Sequence, residues 1–282
     1  MTLLLLASLV WAFSFGLIGN TLKSVNPDVV SFFRLALAAA VFAPFARRLP
    51  WKRVIQFAGV GALQFGVMYH AYNWSFQYLK GYEVALLTVT TPFFVTALND
   101  LHRRRFKPLN AILATLAVLG ALIVLVRGPV AHAPLVGVLL VQLSNICFAF
   151  GQLIYRRLDT RGETVASEAG AFFYCYVGAT LVTAPLAFPA LSDTIAALTE
   201  QQLGALIYLG AIASGVSFFL WNRGARCASA GTLAVMNNLK IPLAVLVSFL
   251  VFGESAHLPR LLIGGGLVIV AAATAVWKRG ND

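Results

Sequence analysis

Ten apolar segments dominate the chain: residues 2–22, 27–46, 54–79, 81–101, 108–126, 133–155, 166–189, 201–222, 228–252 and 258–277. Each approaches the roughly 20 residues with which a helix, rising about 1.5 Å per residue, crosses a hydrocarbon core about 30 Å thick. Lipid offers the backbone no hydrogen bonds, so these stretches are expected as helices, giving an all-α integral membrane fold of ten transmembrane helices. The short connections leave no room for an extramembrane catalytic domain. Composition agrees: 60% of residues are hydrophobic and 11% charged, against about a quarter charged in soluble domains.

The net charge of +11 is a matter of placement. With the N-terminus inside, fifteen Lys and Arg residues, from Arg47 and Arg48 to Lys278 and Arg279, fall on the cytoplasmic side, against Lys23, Lys80, Arg127 and Arg260 opposite. The positive-inside rule thus predicts a multi-pass protein with both termini cytoplasmic, and the excess of cations is no sign of nucleic acid. Cys147, Cys175 and Cys227 are odd in number and far apart, so neither a disulfide nor a metal site is expected, and no cofactor motif occurs. The first apolar run lacks a basic leader, which fits an uncleaved first span.

The chain repeats itself. Gly66-Val67, five further residues and Asn73 are followed by Pro92; Gly215-Val216, five further residues and Asn222 are followed by Pro242. This alignment pairs Tyr72 with Trp221 and, with one residue inserted, Thr90 with Lys240. Phe13-Ser14-Phe15-Gly16 and Phe148-Ala149-Phe150-Gly151 form a weaker echo. The expected halves are residues 1–128 and 129–282, together one transport domain. Five spans each, an odd number, would set them upside down relative to one another, an inverted-topology repeat in which proline-interrupted helices at matching positions mark the binding site.

Lys240 lies at the middle of the apolar stretch 228–252. A lysine at the bilayer centre costs on the order of 2.5–3.5 kcal/mol and its stem is too short to reach either interface. No Asp or Glu sits in mid-span; Glu83, Asp100, Glu168 and Glu254 fall near ends. The missing counter-charge is therefore expected from a solute carboxylate, and the plainer alternative is a neutral lysine bonded to Asn238 or a carbonyl. Asn237 shares a helix face with Lys240, and Pro242 frees the carbonyl of Asn238.

Other polar residues are weighed beside it. Arg34 is expected to snorkel or to hold a carbonyl, with a second anion contact as the alternative. His70, the one histidine in a span interior, is a packing residue or a proton shuttle. Asn73 and Asn222, beside Tyr72 and Trp221, either bridge helices or orient a solute; Thr88, Thr91, Asn145 and Gln142 fit interhelical hydrogen bonding better. Gly16, Gly19, Gly264, Gly265 and Gly266 are expected to let helices approach closely.

Four stretches carry a resemblance: Trp11 to Phe15, Phe33-Arg34 with the Leu/Ala run after it, Lys240-Ile241-Pro242 running to Phe252-Gly253-Glu254, and Gly264 to Gly266. In that order they resemble the drug/metabolite transporter superfamily, and within it the EamA-type carriers. The resemblance implies a central cavity built from spans one to four and six to nine, with five and ten peripheral, and favours export across a bacterial inner membrane. Where the second half has Gly253 and Glu254, the first has Arg103 and Arg104, so the acidic cap of the family is missing there. The expected function is a secondary transporter of amino acids or related carboxylates working by alternating access, in the lipid bilayer, with a proton or counter-solute as coupling partner and a monomer or homodimer as assembly. Alternatives are exchange of nucleotide sugars or other phosphorylated metabolites, and lipid flipping. No nucleotide-binding phosphate loop occurs, and one interior histidine without an interior acid does not make an enzyme.

Overall fold

The computed structural model describes residues 2–79, 84, 87–104, 108–125, 135–158, 164–251 and 258–279, and among them every regular element is helical. In chain order these are α1 (Thr2–Gly16), passing into a π turn (Leu17–Thr21); α2 (Pro27–Phe42); α3 (Trp51–Gly61), joined through a π segment (Ala62–Val67) to α4 (Met68–Tyr78); α5 (Thr91–Arg103); α6 (Pro108–Leu125); α7 (Leu135–Arg157); α8 (Val165–Ala197); α9 (Glu200–Ile207), joined through a π segment (Tyr208–Val216) to α10 (Ser217–Arg226); α11 (Ala230–Val251); and α12 (Leu258–Arg279). Among the described residues four runs are long and apolar enough to cross a membrane, Pro27–Phe45, Leu135–Arg157, Val165–Ala197 and Glu200–Arg226. The fold is that of an all-α membrane protein. Large apolar side chains such as Leu181, Phe188 and Leu262 face outward, as lipid allows.

Local chemistry sets the helix ends. Asn26 accepts from the backbone N–H of Asp28 and Val29, Pro27 occupies the first turn and Asp28 faces the positive end of the dipole, so α2 starts sharply. Thr199 and Gln202 close a reciprocal capping box at α9. Inside α8, Pro185 and Pro189 do not end the helix, which runs to Ala197, past the expected limit at 189.

Residues 87 and 88 are helical, residues 89 and 90 form a turn, and Pro92 stands in the first turn of α5, where a missing N–H costs nothing, so the fourth apolar segment is broken just before its proline. Pro242, by contrast, lies within α11. The boundary between residues 128 and 129, and Glu83, Gly253 and Glu254, lie outside the described residues.

α2 and α3 pack on α8, α4 on α7, α1 on α11 and α10, and α12 on α6 and α11. A layer of rings, among them Phe42, Phe65, Phe172, Tyr176, Phe218 and Phe219, fills the core; Phe65 and Tyr176 stack at 5.1 Å. Glycine matters most at the α3 to α8 crossing. A Cβ on Gly61 would strike the carbonyl of Cys175, and one on Gly178 the carbonyl of Ala58, so the two backbones touch with no side chain between. The glycine expected from sequence at Gly264 also serves packing, its carbonyl lying 2.6 Å from where a Cβ of Gly120 would be.

Gly178→Leu is expected to lower the melting temperature in detergent well below wild type, since overpacking costs about 1–3 kcal/mol or more. Gly204→Ala, at a site with open space around it, should leave the melting curve in place.

Candidate functional site

Lys240 stands at the eleventh position of the 22-residue α11 and enters a cavity of about 620 Å³, its mouth included. The wall also holds Trp11, Ser14 and Ile18 of the first helical run, Arg34, Met68, Tyr69, Tyr72, Thr88, Thr91, Ser144, Asn145, Phe148 and Phe218. The Lys240 Nζ lies 5.6 Å from the ring centre of Trp11, within the range of cation–π attraction. It has no carboxylate partner among the described residues.

Arg34 departs from expectation. It neither snorkels nor holds a carbonyl: at 2% exposure it donates from Nε to the Ser214 hydroxyl at 3.0 Å and from Nη2 to the Tyr69 hydroxyl at 2.8 Å, with its guanidinium 4.0 Å over the Tyr69 ring. Its Nη1 has no partner. The reason is geometric. α2 packs against both α4 and the π segment Tyr208–Val216, so hydroxyls from two sides reach the arginine before water does.

The turn before α5 is the other constructed feature. Irregular backbone at membrane depth persists only where side chains satisfy it. Here Asn145 donates to the Leu87 carbonyl at 3.0 Å, Asn238 to that of Val89 at 3.1 Å, and Thr91 to that of Thr88 at 2.7 Å. Thr90 bonds the Leu87 carbonyl and Gln142. The asparagines therefore serve the turn, and through it hold Thr88 and Thr91 at the cavity wall.

Of the residues singled out in the sequence, Lys240, Arg34, Tyr72, Thr88, Thr91 and Asn145 meet at the cavity, whereas Asn237, Asn238, Asn222, Trp221, Asn73 and His70 are not among its wall. Asn222 forms a reciprocal amide pair with Gln64, and Trp221, fully buried, donates to Gln152 at 2.8 Å. Asn73 donates to Ser31 at 2.7 Å. Asn237 is fully buried with neither side-chain polar atom partnered. His70 is not solitary: its Nδ1 lies 2.7 Å from Asp28. Near the helix ends the partly buried Asp28 pairs with His70, and the buried Glu168 with Arg223 at 2.7 Å and Arg226 at 2.8 Å. Tyr69 and Ser214 escaped sequence reading because nothing in spacing marks a hydroxyl as the partner of an arginine 35 or 180 residues away.

A pocket sharing Ile18 with the cavity leads past Leu22 to Lys23 and Gln77. In the Glu168 cluster Arg226 also lies 4.5 Å over the Tyr155 ring. No group of three or more His, Cys, Asp or Glu able to hold a metal occurs among the described residues. The arrangement offers a small solute a pocket with cationic, hydroxyl and aromatic sides.

Asn145→Leu is expected to cost about 0.5–1.5 kcal/mol of stability by removing the Asn145 donor from a Leu87 carbonyl that Thr90 alone then serves, seen as a lower melting temperature in detergent, with Asn145→Asp, whose carboxylate has no donor for that carbonyl, no closer to wild type.

Comparison with known proteins places the molecule. A "Probable biotin transporter" of Pseudomonas aeruginosa is 40% identical over 280 residues, covering 96% of each chain. The "Biotin transporter" of Escherichia coli K12 is 39% identical over 277 residues, covering 96% of this chain and 91% of its own. A solved crystal structure, 17% identical, superposes with a TM-score of 0.75 over 98% of both chains and shares the fold. The EamA-like transporter family matches residues 1–126 and 135–277, and with a cavity in an all-helical membrane fold the chain belongs to that family.

Proposed function

We propose that the chain is a secondary transporter of a small monocarboxylate, biotin in particular, across a bacterial inner membrane. One observation carries the choice: among the described residues the cavity wall holds two cations, Lys240 and Arg34, and no acid. A carboxylate offsets one of these two charges, whereas the ammonium of an amino acid would add a third positive charge to the same space, so a carboxylate without an amine is favoured over an amino acid. Biotin pairs such a carboxylate with an apolar arm and a ureido ring. Trp11, Phe148 and Phe218 suit the arm, and Ser144, Thr91 and Tyr72 suit the ring's donors and acceptors. The names of the relatives point the same way.

The proposal includes ten spans in two inverted halves with both termini cytoplasmic. In support, the family match falls into two stretches of similar length, and the repeated Gly-Val pairs close the two π segments Ala62–Val67 and Tyr208–Val216. Alternating access would then open the end at Lys23 and the end at Arg223 in turn.

Counterflow of labelled biotin in proteoliposomes tests this, with glutamine, a nucleotide sugar and a short-chain lipid as competitors, and with the label inside or outside to read direction. Biotin alone should compete. Lys240→Met is expected to lower the flux about tenfold or more, as loss of a charged hydrogen bond of about 1.5–3 kcal/mol implies. Flux at the wild-type rate in that variant, or competition by the amino acid alone, would sink the proposal.

A further inference from the structure

Asp28, Ser31 and Arg34 stand three residues apart on α2 and so share one face. Each meets the α3 to α4 run. Asp28 accepts from Trp74 Nε1 at 2.9 Å and lies 2.7 Å from His70 Nδ1. Ser31 accepts from Asn73 at 2.7 Å and donates to the Tyr69 carbonyl at 3.2 Å. Arg34 donates to the Tyr69 hydroxyl at 2.8 Å. The result is a ladder of three rungs between two helices. Its inner rung lines the cavity, and its outer rung is an acid and an imidazole about 9 Å away along the axis.

We infer that the His70 and Asp28 pair is the proton-binding site of this carrier, so that one proton travels with each carboxylate. The inference rests on the carboxylate reading above. With Asp28 at Nδ1, the proton enters and leaves at Nε2, on a side chain 34% exposed. Trp74, which shares the Asp28 oxygen, lines an open vestibule with Asn26 and Pro27. The Asp28 and His70 pair is partly buried and stands apart from the cavity wall, so it has no role in holding the cargo itself.

The two events are tied through the shared helices. The ladder itself joins them, since Ser31 bonds both Asn73 and the Tyr69 carbonyl between the outer pair and the Arg34 rung, and by linkage whatever the proton does to carboxylate binding the carboxylate does to proton binding by the same factor. The other charged and titratable groups are accounted for. Lys23 and Asp193 of α8 line the same vestibule, Tyr69 and Tyr72 lie inward on α4, and Glu200 opens α9. α7, packed on α4, carries no charge before Arg156 at its far end.

The test uses the full chain in proteoliposomes with biotin as the probe. Wild type should exchange biotin at equal pH on both sides and accumulate it when the lumen is alkaline. His70→Gln and Asp28→Asn should keep the exchange and lose the accumulation about tenfold or more. The binding constant, which should change up to about tenfold per pH unit in the wild type for one linked proton, should become flat with pH in both variants. Undiminished accumulation in His70→Gln overturns the coupling alone. Loss of exchange in both variants overturns it in favour of a structural ladder, and absence of exchange in the wild type overturns the cargo reading and the coupling with it.

Discussion

A guanidinium held by hydroxyls is the constraint on which the cavity depends. Had α2 met an acid where it meets Ser214 and Tyr69, the charge of Arg34 would be spent within the protein. Hydroxyls fix its position and leave the charge in place, with Nη1 unpartnered. Lys240 is treated alike: a ring face steadies it without neutralising it. Acids are kept at the helix ends, where Glu168 is committed to two arginines. The molecule thus separates two uses of charge, paired charges that hold helix ends together and unpaired ones that face the central space.

The second constraint is the backbone. At the turn Leu87 to Thr90 several carbonyls leave the helical ladder, and side chains from α7 and α11 answer them. The polar residues of these helices are there because the α5 entrance is irregular. That irregularity in turn lets Thr88 and Thr91 stand at the wall beside Asn145 and Lys240.

How much of this was legible follows from the range of each signal. Apolar stretches are local, and all of them correspond to helices where residues are described, although Pro185 and Pro189 inside α8 hid its true length. Lys240 was legible because a mid-span cation is costly wherever it points. Arg34 was located but misjudged, since its partners come from a segment 180 residues on. Asn237 shows the limit of helical spacing as a guide: it is three residues from Lys240, yet it is absent from the cavity wall. His70 looked solitary because Asp28 lies 42 residues away at the start of α2 and only in space faces α4. The contact glycines Gly61 and Gly178 carry no motif; only the crossing of α3 and α8 gives them meaning.

That crossing has a mechanical consequence. Interlocked side chains must unlock before two helices can shift, and each unlocking is a barrier. Where α3 and α8 meet through bare backbone nothing has to unlock at the point of contact itself, while the Phe65 and Tyr176 rings stacked beside it hold the pair in register. The crossing thus joins a smooth contact to a toothed one, and any relative movement of the two helices has to pass through the rings.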